Sequence, residues 1–175
     1  MRRAEAIAAL SALLALGAAC SRREERVARD YQVGVHQVRL VAPPGWEVIE
    51  HGRQHLFRKD QSELSLVDVG PTNPDSTAPA MTRDQKTAYV LGSFDLSDRK
   101  EIAQREDRLR QGRVWTEVHT WSRVSHTDPA RVAFTEAAGH FLVLATDYGP
   151  IEVTGPAFDS LLATIEDRSD RATPR

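Results

Sequence analysis

The chain has 175 residues, with 23 basic against 25 acidic side chains, a formal net charge of −2, 41% hydrophobic residues and one cysteine, Cys20. A single cysteine excludes an intrachain disulfide framework and a cysteine-based zinc cluster. Near-neutral charge removes the electrostatic footprint of a nucleic-acid binder, and the hydrophobic content is too ordinary for a polytopic membrane protein.

Residues 1–19 have the proportions of a secretory signal. Arg2 and Arg3 give a positive start, and residues 6–19 are apolar apart from Ser11 and Gly17. As a helix this run spans about 21 Å at ~1.5 Å per residue, short of a hydrocarbon core about 30 Å thick. Glu5 and the missing flanking motif favour ordinary secretion over the twin-arginine route.

The segment Leu16-Gly17-Ala18-Ala19-Cys20 resembles a bacterial lipobox, in which the cysteine is diacylated and becomes the new N-terminus. Leucine usually stands three residues before the cysteine; here Gly17 does, with Leu16 one step further back. A plain signal peptide cut near Ala19 is the alternative. The polar stretch 20–32, opening on Ser21-Arg22-Arg23-Glu24-Glu25-Arg26, reads as a tether. Acyl chains of the palmitate type on Cys20, at ~0.8 kcal/mol per buried CH₂, would hold the protein at a membrane. Ser21 after the cysteine resembles lipoproteins sorted to the outer membrane, so its periplasmic face is expected before the inner membrane. Cleavage removes Arg2, Arg3 and Glu5 and leaves a mildly acidic chain, with no polybasic patch to assist the anchor.

From Val33 the pattern alternates. Val33, Val35, Val38 and Leu40 suit a half-buried strand, ended by Pro43-Pro44-Gly45. Trp46 and Val48 restart a strand, and Trp46 is expected to plug one end of the sheet. Glu50-His51-Gly52-Arg53 forms a turn, residues 54–58 return as the partner strand, and Leu64 to Val69 form another. Residues 70–81, with three prolines, form a loop. Thr82 with Gln85 matches a capping box opening a helix that stops at Gly92, with Ala88 and Leu91 on one face.

Residues 101–109 read as a solvent-facing strand turning at Arg110-Gln111-Gly112. The strand from Val114 to Val124 puts Val114, Thr116, Val118 and Thr120 on one face, and Trp115, Glu117, His119 and Trp121 on the other. After a turn at His126-Thr127-Asp128-Pro129, residues 131–136 and 140–146 make a hairpin. Phe141-Leu142-Val143-Leu144-Ala145 is apolar on both faces, which marks a central strand covered on both sides. Gly155-Pro156 opens a last helix, near whose N-terminus Asp159 is placed. Its stripe Phe158, Leu161, Leu162 and Ile165 is worth ~1.5–3 kcal/mol per buried side chain before entropy. The tail 167–175 is polar and expected to fray.

One α+β domain over 33–166 follows, an antiparallel sheet with helices packed on it. The segment Val38-Arg39-Leu40-Val41-Ala42-Pro43-Pro44-Gly45-Trp46-Glu47, with Phe141–Leu144 and Phe158-Asp159-Ser160-Leu161-Leu162 further on, resembles PsbP/Mog1-like domains. That resemblance implies an α/β/α sandwich and an accessory or binding role. None of the metal-binding or partner-binding residues of the photosynthetic members is matched here.

Catalytic signatures are not found. Gly92-Ser93 and Asp159-Ser160 lack the glycines of a G-x-S-x-G elbow, and no phosphate-cradling loop or HExxH occurs. His51 and His55 span a hairpin turn, and His119 with His126 lacks a third ligand. No cofactor is assigned. Trp115, His119 and Trp121 are the candidate ligand surface; burial of both tryptophans under a helix or across strands is the favoured expectation. The function expected is a lipid-anchored, envelope-facing, non-enzymatic binding or accessory module. Its partners are the membrane, through Cys20, and an envelope protein. The alternatives are an enzyme acting on an envelope substrate and a small-ligand or metal carrier using the 70–81 loop as a lid.

Overall fold

A computed structural model describes residues 27–72, 79–94, 101–121 and 129–169. The signal segment, Cys20, most of the tether, positions 73–78 of the expected loop, the His126 turn apart from Pro129, and positions 170–175 of the tail lie outside the described residues.

The described strands are β1 (Arg29–Val33), β2 (His36–Leu40), β3 (Glu47–His51), β4 (Gln54–Lys59), β5 (Ser62–Pro71), β6 (Glu101–Arg110), β7 (Arg113–Trp121), β8 (Pro129–Ala137), β9 (His140–Tyr148) and β10 (Glu166–Asp167). The helices are α1 (Arg83–Ser93) and α2 (Ile151–Thr164). Seven strands form one sheet in the order β3-β4-β5-β9-β8-β7-β6, and β1-β2-β10 form a smaller one. Every pairing is antiparallel.

Alternation along the strands divides the core in two. Leu64 and Leu66 of β5, Trp115 of β7 and Leu142 and Leu144 of β9 pack against α2 and the small sheet. Val69, Val118, Phe134, Phe141 and Val143 pack on the other face, against Val90 and Leu91 of α1. β9 therefore contributes to both cores from the middle of the large sheet, as its unbroken apolar run requires. The expected α/β/α layering is present.

The edge strand β6 sits where its charges suggested. It turns into β7 through Gln111 (φ 49°) and Gly112 (φ 79°), the paired positive φ values of a tight hairpin turn. In α1 the capping box is formed: Thr82 Oγ1 accepts from the Gln85 N–H at 3.3 Å, and Gln85 Oε1 accepts from the Thr82 N–H at 2.8 Å. Thr82→Ala is expected to cost about 1 kcal/mol. Urea unfolding checks this, and an unmoved midpoint would remove the cap from the account.

Several boundaries differ from expectation. The tether is shorter, because residues 29–33 form β1 and bury Val33 opposite β2. The tail begins later, because Glu166 and Asp167 pair with Arg39 and Val38. The buried face of α1 is Thr87, Val90 and Leu91; Ala88 is exposed, and the helix runs through Gly92 to Ser93. α2 starts at Ile151 rather than Pro156, since the Pro150 carbonyl already accepts from the Val153 and Thr154 N–H groups at 3.0 Å each. Pro156 then lies inside the helix on its exposed side, where the forfeited hydrogen bond leaves the Glu152 carbonyl at an exposed residue. Asp159 is consequently remote from the helix start, and it accepts a hydrogen bond from Arg131 of β8 at 2.6 Å. The apolar stripe Phe158, Leu161, Leu162 and Ile165 is fully buried.

Candidate functional site

A polar joint lies between the two sheets. On β5 the residues facing the small sheet are Leu64, Leu66 and then Asp68; on β2 they are His36, Val38 and Leu40. Alternation thus delivers a carboxylate and an imidazole to core positions. Asp167 joins them because β10 registers it opposite Val38. His36, Asp68 and Asp167 all have essentially unexposed side chains.

The geometry is specific. Asp68 accepts from the Val35 N–H at 3.0 Å and meets His140 Nδ1 at 2.7 Å and Arg53 Nη2 at 3.5 Å. His36 Nδ1 lies 3.3 Å from Asp167 Oδ2, and His36 Nε2 lies 4.0 Å from Asp68 Oδ1. Asp167 also meets Arg113 Nε at 3.6 Å and accepts from the Ser169 N–H at 2.9 Å and from the Ser169 hydroxyl. Burial by itself would raise both carboxyls. For Asp68 the opposing hydrogen bonds from His140 and Val35 and the His140 and Arg53 charges win, and the pKa falls below the ordinary value. For Asp167 the His36 imidazole 3.3 Å away and the hydrogen bonds from Ser169 do the same.

The turn that carries this joint requires glycine. Gly34 sits at φ +58°, and a Cβ there would lie 1.9 Å from Asp68 Oδ2. Its N–H donates to the Gly52 carbonyl at 3.0 Å, so the β1–β2 and β3–β4 turns rest on each other beside the carboxylate.

Chemically the joint is an ion network. Ser169, His36 and Asp68 hold the residue types of a nucleophilic relay, but the Ser169 hydroxyl donates to Asp167 and stands 3.5 Å from His36 Nδ1. The 4.0 Å between His36 and Asp68 is too long for a hydrogen bond. No group of three or more potential metal ligands with metal-holding geometry occurs among the described residues.

The second feature is an open groove of about 460 Å³ at the amino-terminal edge. Tyr31, Val41, Pro43, Pro44, Trp46 and Val48 line it, together with Val27 and Arg29. The Trp46 N–H donates to the Pro43 carbonyl at 3.1 Å, closing a turn that exposes Pro44 and keeps Pro43 buried. Trp46 is half-buried and packs against the α2-side core just before the edge strand β3. Tyr31 stands edge-on to His55 with ring centroids 5.6 Å apart.

The expected ligand surface on β7 is not an open platform. Trp115 is 1% exposed, inside the core beneath α2. Two residues on, Glu117 is buried and takes both Nε and Nη2 of Arg110 at 2.8 and 2.6 Å. His119 is half-buried, and burial followed by the Arg131 charge lowers its pKa. Trp121 ends β7, and its side chain is outside the described set. His55 is buried beside Tyr31, while His51 is exposed at the strand end, so the two do not converge. The residues that do converge are His36, Asp68, His140 and Asp167, which form no motif along the chain. The signal was available: Asp68 stands in phase with Leu64 and Leu66, and His36 in phase with Val38 and Leu40.

No protein-family model matches the chain, and no curated protein does. Solved structures do. The solution structure of cyanobacterial PsbP (CyanoP) from Synechocystis sp. PCC 6803 superposes with a TM-score of 0.55 at 15% identity, covering 85% of this chain and 96% of that one. The fold is PsbP-like.

Proposed function

We propose that the protein is a lipid-anchored, envelope-facing accessory or binding module without catalysis of its own. The observation that carries this is the placing of Cys20. It closes the apolar run of residues 6–19, and the first strand of a PsbP-like domain begins nine residues later, at Arg29. An anchor followed at once by one small domain suits a module that meets its partner near the membrane. Among the described residues no helix is long and apolar enough to cross a bilayer, so membrane attachment on this reading falls to acylated Cys20.

Cys20→Ser is expected to move the protein from the membrane fraction to the soluble fraction. Intact mass of the N-terminal peptide from native membranes should show a diacylglycerol adduct on Cys20. A free thiol at Cys20 would end this reading. A specific envelope protein should be retained by the detergent-solubilised wild-type chain.

A further inference from the structure

We propose that the groove formed by Tyr31, Pro43, Pro44 and Trp46 rests on the headgroup interface of the membrane that carries the anchor. This deepens the anchor reading and rests on it. Six residues lie between Cys20 and Val27, the first described residue, so seven residue steps join them. Fully extended they reach at most about 25 Å, less than the width of a domain of this size, roughly 35 Å. The end of the domain bearing Val27 is therefore held nearest the bilayer.

That end is the groove itself, since Val27 is part of its wall. Val27 is 56% exposed, Pro44 and Gly45 are exposed, and Trp46 and Tyr31 are half-buried. Tryptophan and tyrosine pair an apolar ring with a polar tip, the composition that settles at headgroup depth. Among the described residues, Arg29 is the one charged residue of the lining. Its neighbour Asp30 alternates to the other side of β1, so no carboxylate of that strand faces the lipid with Tyr31. A rim of valine, proline and two amphipathic rings, held by a leash shorter than the domain, fits a bilayer surface.

The test uses the acylated full-length protein in vesicles of phosphatidylethanolamine and phosphatidylglycerol, with brominated acyl chains as the probe. The chain has three tryptophans, so a Trp115→Phe/Trp121→Phe variant leaves Trp46 as sole reporter. The expected result is a blue shift and a loss of Trp46 emission in brominated vesicles. Both should disappear when exposed Pro44 is also changed, Pro44→Asp, with the acyl mass unchanged. Unquenched Trp46 emission from protein whose acyl mass is confirmed overturns the docking and leaves the anchor standing. Absence of the acyl mass overturns both. If the tryptophan changes unfold the domain, hydrogen exchange over residues 43–48 of the wild-type protein reads the same surface. Slower exchange on vesicles supports docking; unchanged exchange in acylated protein overturns it.

Discussion

Gly34→Ala is expected to lower stability by about 3–5 kcal/mol, far more than a surface turn substitution ordinarily costs. Left-handed backbone at φ +58° penalises any side chain by roughly 1–2 kcal/mol. The added Cβ would also stand 1.9 Å from Asp68 Oδ2 and 2.5 Å from its Cβ and Cγ. Either the turn lifts away, breaking the Gly34–Gly52 hydrogen bond, or Asp68 leaves its buried place beside His36 and His140. Gly45→Ala separates the two causes. Gly45 has φ +72°, with nothing within 4 Å of the added Cβ, so backbone strain acts alone there. Urea unfolding of both variants decides the matter. Equal losses would mean that contact with Asp68 contributes nothing.

Asp68→Asn is expected to cost about 3–5 kcal/mol at neutral pH, because it breaks a buried ionic network while leaving its histidines in place. Asp68 is 1% exposed at the side chain, so water screens little of this. The variant should also change the shape of the acid limb. Asp68 and Asp167 both have folded pKa values below the ordinary carboxylate value. A depressed carboxyl stabilises the fold fully above its unfolded pKa of about 3.9, and this contribution is lost as pH falls through the folded value. In that window the unfolded chain takes up protons before the folded chain does. Each carboxyl then contributes up to about 1.4 kcal/mol per pH unit to the fall in stability. Removing Asp68 leaves Asp167 as the contributor of the pair, so the variant should lose stability less steeply in acid. Unfolding free energies measured from about pH 6 down to about pH 2 check this; wild-type and variant curves running parallel would refute it.

The layering was legible because it follows from periodicity. The two-faced run Phe141–Ala145 reads as a covered central strand, and the spacing of Phe158, Leu161 and Leu162, continued by Ile165 at the C-cap, reads as one face of a helix. Boundaries were less legible where a competing signal stood nearby. Pro156 is a favoured first helical residue, but Pro150 offered an earlier start whose carbonyl found two donors. Arg29 to Gln32 look like tether by polarity; they are strand because β2 supplies a partner, information that local composition does not hold. The polar joint escaped for the same reason. Asp68 and His36 are each in phase with apolar neighbours, yet what neutralises them comes from β9, β10 and the β3–β4 turn. Trp115 went the other way: a tryptophan beside a histidine suggested a binding face, and the register of β7 placed it under α2.

The small sheet also dictates when the molecule can be finished. Its middle strand, β2, comes near the start of the domain, while its third strand is residues 166–167. His36 and Ser169, which meet at the joint, are 133 residues apart in sequence. Closing so long a loop delays the contact relative to the local hairpins. The β1–β2 hairpin, marginal by itself in water, is held first by its turn against Gly52 and Asp68, and the open edge of β2 is covered only when residues 166–167 pair with it. The joint is therefore the part of the fold completed last, when Asp167 reaches His36 across that loop.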